Sequence, residues 1–299
     1  VLLALPVFLV VRALGVILAP DPIADFFYTA RRKTQNVLVR TGSLFMDSPL
    51  QIVWALGMMA IAIGLSAWQR LGLEWNLAVA TGRTVMQLLV VGYVLAAVFA
   101  IRNSLAVLAV LAVMLAIATI VARNRISKKV PNLLPFVGGS ILTGTMLTLA
   151  YTNLLVIRPQ IWYEPQYVIP LAGIVLGNAM NGAAITGERL VSTLNSSQLE
   201  IETHLSLGAT PQQAIAQYRK DAIKAGLIPT INTMMVVGLV TLPGIMTGQL
   251  LDGAEPLTAA AYQILIMFML AFATLVTTLL ITWGISRQFF NQAAQLILW

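Results

Sequence analysis

The chain has 299 residues, of which 59% are apolar and 10% charged, against about 25% charged in an ordinary soluble domain. Its 18 basic and 11 acidic side chains cannot coat a soluble globule of this size, and so apolar a chain is not a disordered one, which leaves a bilayer as the matching solvent. The absence of cysteine and the single histidine, His204, exclude disulfide scaffolds, thiolate metal sites and an imidazole cage, and the net charge of +7 is spread over loops and not gathered as a nucleic-acid footprint would be.

The elements are set by the gaps between charges, since a membrane-crossing helix needs about 20 residues at about 1.5 Å each. Residues 1–47 form an N-terminal extension without an assigned topology. Residues 1–11 are apolar but end at Arg12, and Arg31, Arg32, Lys33 and Arg40 interrupt the remainder of the extension. An uncleaved anchor, an interfacial helix and an upstream misread of the start codon all suit that pattern, and no small-residue site marks a cleaved signal peptide. Residues 48–290 then read as an all-α, polytopic transmembrane bundle. Asp47 and Arg70 enclose 22 uncharged residues, Arg83 and Arg102 enclose 18, and Arg102 and Arg123 enclose 20. Lys129 and Arg158 enclose 28, Glu164 and Glu188 23, Lys224 and Asp252 27, and Glu255 and Arg287 31. About seven core spans are expected, with 291–299 as a C-terminal tail. Within the core, placing the Arg123, Arg125, Lys128, Lys129 loop in the cytoplasm puts 11 basic residues on that side and only Arg102 and Arg158 on the other, while Arg31, Arg32, Lys33 and Arg40 of the extension would fall outside, against the rule. The core then starts outside and the C-terminus is cytoplasmic.

One substantial polar segment interrupts the spans, residues 188–224. Leu190, Leu194, Ile201 and Leu205 recur at steps of four, seven and four, one face of a helix. Gly208 suits a left-handed helix end, Thr210 an N-cap, Pro211 the first helical position and Gln213 the third residue of a capping box. The spacing predicts a helix, a tight turn and a second helix that passes through Tyr218 and Arg219 into the sixth span. An ordinary capped loop has the same grammar. What favours a surface for a motor is that the chain has no G-x-x-x-x-G-K-[ST] loop, so ATP energy must come from a partner.

Several phrases carry a resemblance: Met86-Gln87-Leu88-Leu89-Val90-Val91-Gly92-Tyr93, Val168-Ile169-Pro170-Leu171-Ala172-Gly173-Ile174-Val175-Leu176-Gly177-Asn178-Ala179-Met180-Asn181, Leu205-Ser206-Leu207-Gly208-Ala209-Thr210-Pro211-Gln212-Gln213-Ala214 and Gly238-Leu239-Val240-Thr241-Leu242-Pro243-Gly244-Ile245-Met246-Thr247-Gly248. In this order, over about residues 50 to 290, the chain resembles the FetB family of ABC-transporter permeases. The resemblance implies a bacterial inner-membrane permease working as two copies with two cytoplasmic FetA-type ATPases, which would hold ATP and magnesium, while this chain needs no cofactor of its own. It also implies iron export; plant relatives are linked to aluminium tolerance, and one such pair to UDP-glucose, so a nucleotide sugar stays open as cargo. It assigns ATPase coupling to Glu202, Leu205, Leu207, Gly208, Ala209, Thr210 and Pro211. Glu202-Thr203-His204 stands where other ABC permeases have Glu-Ala-Ala, so the role is carried over without the detailed contacts.

Polar and irregular positions inside spans are the candidates for a transport path. The fifth span carries Pro170, Gly173-x-x-x-Gly177, Asn178, Met180 and Asn181; the sixth carries Pro243, Gly244-x-x-x-Gly248, Met246 and Gln249. Helix packing or dimerisation accounts for the glycines more economically than a path does, and interhelical hydrogen bonding is an equal role for the asparagines. Met180, Met234, Met235, Met246, Met267 and Met269 read as fillers of membrane helices before they read as thioether ligands. Glu164, Asp252 and Glu255 gather acids at an outer mouth where a cation could be received, or are simply solvated loop residues. His204 is expected exposed, and Arg83 is expected to snorkel to the cytoplasmic interface beside Gln87. No Asp, Glu, Lys or Arg is expected inside a core span, which disfavours an ion-coupled carrier or channel acting without an ATPase; a membrane-embedded enzyme lacks a catalytic constellation.

Overall fold

A computed structural model describes residues 49–101, 103–158, 163–291 and 293–297; the N-terminal extension lies outside the described residues. The described chain is helical: α1 Pro49–Trp68, α2 Glu74–Ile101, α3 Ser104–Ile126, α4 Leu133–Tyr151 with a π-helical continuation Thr152–Ile157, α5 Pro165–Ser196, α6 Gln198–Ser206, α7 Pro211–Ala214, α8 Ala216–Val236, α9 Gly244–Leu251 and α10 Pro256–Gln288. Among the described residues only two isolated β-bridges occur, and no strand.

The chain divides into two compact units. In the first, α1 and α2 pack as a hairpin whose turn holds Arg70 at φ 51 and Gly72 at φ 70, and Ser66 Oγ donates to Glu74 Oε1 at 3.3 Å. Trp54, Met86, Leu88 and Tyr93 leave most of their area uncovered by the chain, as lipid-facing side chains do. In the second unit α5 is the hub, contacted by α3, α4, α8 and α10, while α10 also packs on α4 and α8. Leu176, Ala179, Ala183, Leu190 and Leu194 of α5 meet Val137 and Ile141 of α4 and Ile281 and Ile285 of α10 in one buried cluster.

Glu-Pro steps start both long helices of this unit: Glu164 and Glu255 stand at the N-caps, and Pro165 and Pro256 at the first helical position, where the missing N–H costs nothing. Elsewhere close approach sets the packing, because hydrocarbon gives helices little hydrophobic reason to associate. At the α5/α8 crossing a methyl group on Gly226 would overlap Thr186 Oγ1 and lie 2.9 Å from the Gly182 carbonyl, and one on Gly182 would overlap the Thr274 methyl of α10. Only residues without a Cβ let these three helices meet.

Five of the seven uncharged stretches lie in helices long and apolar enough to cross a membrane, Glu74–Ala100, Ser104–Ile126, Leu133–Ile157, Pro165–Ser196 and Pro256–Gln288; the first starts nine residues before Arg83 and so holds this arginine within it, against the expectation of charge-free spans with Arg83 at their edge. The stretch before Arg70 forms the 20-residue α1. The sixth span is not one helix. It stops at Val236, runs irregularly through residues 237–243, and resumes as the eight-residue α9. Gly238 sits at φ 80 and its N–H bonds to the Thr241 carbonyl at 2.9 Å, while Pro243 lacks an N–H and keeps its predecessor out of the helical region. The expected single helix through Leu190 and Leu205 is also two, since Ser197 (φ −103, ψ 27) separates α5 from α6.

Candidate functional site

The polar segment begins on α5 itself. Leu190, Leu194 and Ile201 are fully buried, with Leu205 and Tyr218 packed against them, so the predicted apolar face rests on the bundle. α6 is stapled on its outer side by Gln198 Nε2 donating to Glu202 Oε1 at 2.8 Å. It ends at Gly208, whose φ of 90 costs a residue with a Cβ about 1–2 kcal/mol. The turn closes with Gly208 N–H on the Leu205 carbonyl and Ala209 N–H on the His204 carbonyl, both at 3.0 Å. Thr210 then caps α7: its Oγ1 accepts from Gln213 N–H at 3.3 Å and the Gln213 amide oxygen accepts from Thr210 N–H at 2.9 Å. The capping box and the left-handed glycine take the form their spacing predicts. One turn on, α8 starts at Ala216. Burial, and secondarily the Glu200 carboxylate, hold the Tyr218 phenol above its ordinary pKa, so the α6–α8 contact keeps a neutral ring.

This elbow shows apolar side chains to water. Leu199 is 79% and Leu207 80% exposed, in a segment whose other exposed positions include Glu200, Glu202, Thr203 and His204. An open hollow of about 410 Å³ lies beside them, lined by Ser197, Glu200, Thr203 and His204 among others. His204 is exposed, as expected.

Inside the bundle, Asn178 ties three helices together. Its Nδ2 donates to Thr274 Oγ1 of α10 at 2.6 Å and Thr230 Oγ1 of α8 at 3.0 Å, with the Leu270 carbonyl at 3.4 Å. Asn181, three residues on, accepts instead from Arg125 Nη1 at 3.3 Å. A methyl group on Gly187 would overlap Ile126, so Arg125, next to Ile126, reaches back six residues along α5, about 9 Å at the helical rise, to meet Asn181. A guanidinium therefore enters a stretch that is charge-free in sequence.

The α10 hydroxyls Thr274, Thr277, Thr278 and Thr282 are wholly buried and mostly return their protons to carbonyls of their own helix, as Thr274 does to Leu270 at 2.7 Å. Gln263 on the same helix is 5% exposed, and its amide oxygen has no partner among the described residues. The polar face at 263, 274, 277, 278 and 282 is missed when the sequence is weighed by charges and by the amides of the fifth and sixth spans. Its spacing was the available signal.

Of the predicted glycine pairs, neither marks a close approach within the chain. Gly177, Gly244 and Gly248 have open space where a Cβ would stand, and Gly173 faces only the flexible end of Met114. The packing glycines are Gly182 and Gly226. Pro243 N-caps α9, and its carbonyl accepts from Thr247 Oγ1 at 3.1 Å; Met246 is half-buried, and the Gln249 amide oxygen is buried without a partner among the described residues. Met180 packs on the core, Met267 and Met269 lie within packed regions, and Met235 is 70% exposed, the scatter of space-filling side chains. Glu164 and Glu255 sit at helix N-termini, where the helix dipole favours a carboxylate, and Asp252 ends α9. No group of three or more His, Cys, Asp or Glu able to hold a metal occurs among the described residues.

Long apolar helices around a hub, interrupted by one polar elbow, define a polytopic all-α membrane protein. The sequence profile of the Uncharacterised protein family (UPF0014) matches residues 49–290, and the chain belongs to this family. It is similar to UPF0014 membrane protein slr1647 of Synechocystis, 52% identical over 246 residues, 82% of this chain and 95% of that protein. It is 37% identical over 252 residues to UPF0014 membrane protein STAR2 of rice, covering 84% of this chain and 87% of the relative. The Probable iron export permease protein FetB of Escherichia coli is 35% identical over 243 residues, 81% of this chain and 92% of its own length. No solved structure matches the chain.

Proposed function

We propose that this chain is the membrane half of an ATP-driven exporter in the bacterial inner membrane, assembled as two copies with two separate cytoplasmic ATPases that hold the ATP and magnesium. The observation that carries the reading is the elbow: α6, the capped turn and α7 form one short rigid unit with Leu199 and Leu207 exposed, joined through α8 to the irregular stretch at 237–243. Closure of an ATPase pair against Leu207 and Gly208 would push α8 along its axis. Locked to α5 at the Gly182–Gly226 crossing, α8 would carry α5 with it, and the break before α9 would absorb the displacement and change access to the bundle. Backbone outside a helix is tolerated at membrane depth where protein covers it or a water-filled cavity is lined by it, and both conditions suit a gate. The elbow then faces the cytoplasm, in accord with the 11 basic residues on that side.

For cargo we favour iron or another metal ion, from the similarity to a relative named an iron export permease. The oxygen and amide donors of the three-helix seam suit a hard ion passed from site to site more than a stored one. The test is ATP hydrolysis by the reconstituted pair with iron, other divalent metals and nucleotide sugars offered side by side. Metal-stimulated hydrolysis supports the reading; stimulation by a nucleotide sugar alone replaces the cargo, and a chain that binds no ATPase sinks the proposal. Gly208→Pro, which cannot adopt φ 90, is expected to keep the ATPase bound yet lower transport at least tenfold.

A further inference from the structure

Where the elbow meets the end of α10, a cavity of about 210 Å³ opens between α7, α8 and the last turn of α10. Two arginines line it. Arg287 lies flat on Trp283, its Cζ 4.0 Å from the ring centroid, and Arg219 of α8 enters from the other side with its Nε buried and unpartnered among the described residues. The remaining walls include Ile215, Phe290 and Ser286, and no carboxylate lines the cavity. The ion pair found among the described residues joins Lys224 to Asp221 and leaves both of these guanidiniums uncompensated.

Three features converge. A planar guanidinium with a buried unused N–H is built to grip an oxyanion, a second stacked on an aromatic ring is held in place by it, and the apolar wall can take an uncharged ester group. The position adds the source. Arg287 ends 31 uncharged residues, and a tryptophan one turn before it marks the band where a membrane helix leaves hydrocarbon for headgroups. We propose that this cavity is a binding site for a phosphate group, supplied by an anionic membrane lipid, whose phosphodiester would sit between Arg219 and Arg287 with its glycerol against Trp283 and Phe290. Because Pro211 and Gln212 also line the cavity, an occupied site would brace the elbow against α10.

The full chain in mixed micelles, titrated with phosphatidylglycerol, phosphatidylcholine or inorganic phosphate and followed by native mass spectrometry, tests this. Phosphatidylglycerol is expected to bind in preference to phosphatidylcholine, and Arg219→Gln and Arg287→Gln each to weaken it about fivefold. Lys220→Gln removes the same charge from the neighbouring position outside the cavity and is expected to change nothing. Arginine-dependent binding of inorganic phosphate with equal affinity keeps the phosphate site and assigns it to a free anion. Equal binding of the two lipids, phosphatidylglycerol binding that survives both arginine variants, or an equal loss with Lys220→Gln would overturn the proposal. So would variants that leave lipid binding intact but detach the ATPase, which would give the arginines to a protein carboxylate. Arg287→Lys keeps the charge and tests folding: if elution of the Gln variants is abnormal, the Lys variant is expected to elute normally and still lose affinity, and full affinity would count against a guanidinium site.

Discussion

Two parts of one hydrophobic stretch behave oppositely. Where α8 crosses α5, Gly226 and Gly182 meet so closely that neither tolerates a methyl group, and Thr230 of α8 is bonded to Asn178 of α5. A few residues later, from Val237 to Pro243, the chain leaves the helix, and Leu239 and Val240 are 87% and 80% exposed. The first region is tied across helices, and the second is a turn bonded mainly to itself whose side chains the described chain leaves largely uncovered. That contrast would suit the proposed transmission, with α8 as its shaft and 237–243 as its joint, because packed contacts shift as units while loosely covered segments deform.

The largest expected effect lies at the shaft. Gly226→Leu should prevent folding, and Gly226→Ala should lower stability by about 2–3 kcal/mol, read as a fall in the thermal midpoint of the purified protein in detergent. A wild-type midpoint for Gly226→Ala would mean that α5 and α8 are not locked. Next, Asn178→Ala removes the bonds to Thr230 and Thr274 and should cost roughly 1–2 kcal/mol, whereas Asn181→Ala, whose partner Arg125 is exposed, should cost well under 1 kcal/mol. Equal losses at the two asparagines would erase the distinction between a three-helix tie and a surface contact. Thr210→Ala breaks the capping box at a cost of about 1 kcal/mol. It should be felt locally, as faster amide hydrogen exchange at Gln212 and Gln213 with protection in α5 unchanged. At the joint, Gly248→Ala meets open space and should stay within about 0.5 kcal/mol of the parent. A large loss there would show that α9 is as tightly held as the shaft.

The features legible in the sequence are local ones. Gly208, Thr210, Pro211 and Gln213 specify their turn within six residues, so spacing alone suffices, and the neutral gaps locate the long helices because charges are costly in hydrocarbon. Counting charges cannot see a break made by uncharged residues, and so the stretch from Lys224 to Asp252 passes for one span although Gly238 and Pro243 stand in it. The packing glycines are hidden for a different reason. Gly182 and Gly226 are 44 positions apart and form no repeat, while the repeating pairs at 173/177 and 244/248 make no close approach within the chain. The partner of Asn178 is likewise a property of three helices brought together, and Arg125 reaches Asn181 only because α3 and α5 are in contact.

In the proposed mechanism the elbow receives work from a separate ATPase. The most direct test of this is metal-ion movement across proteoliposomes that contain the chain with and without its ATPase. Movement is expected only when the ATPase and ATP are both present, and is expected to collapse in Gly208→Pro while the two proteins still co-purify. Transport by the chain alone, driven by an ion gradient and indifferent to ATP, would contradict the mechanism.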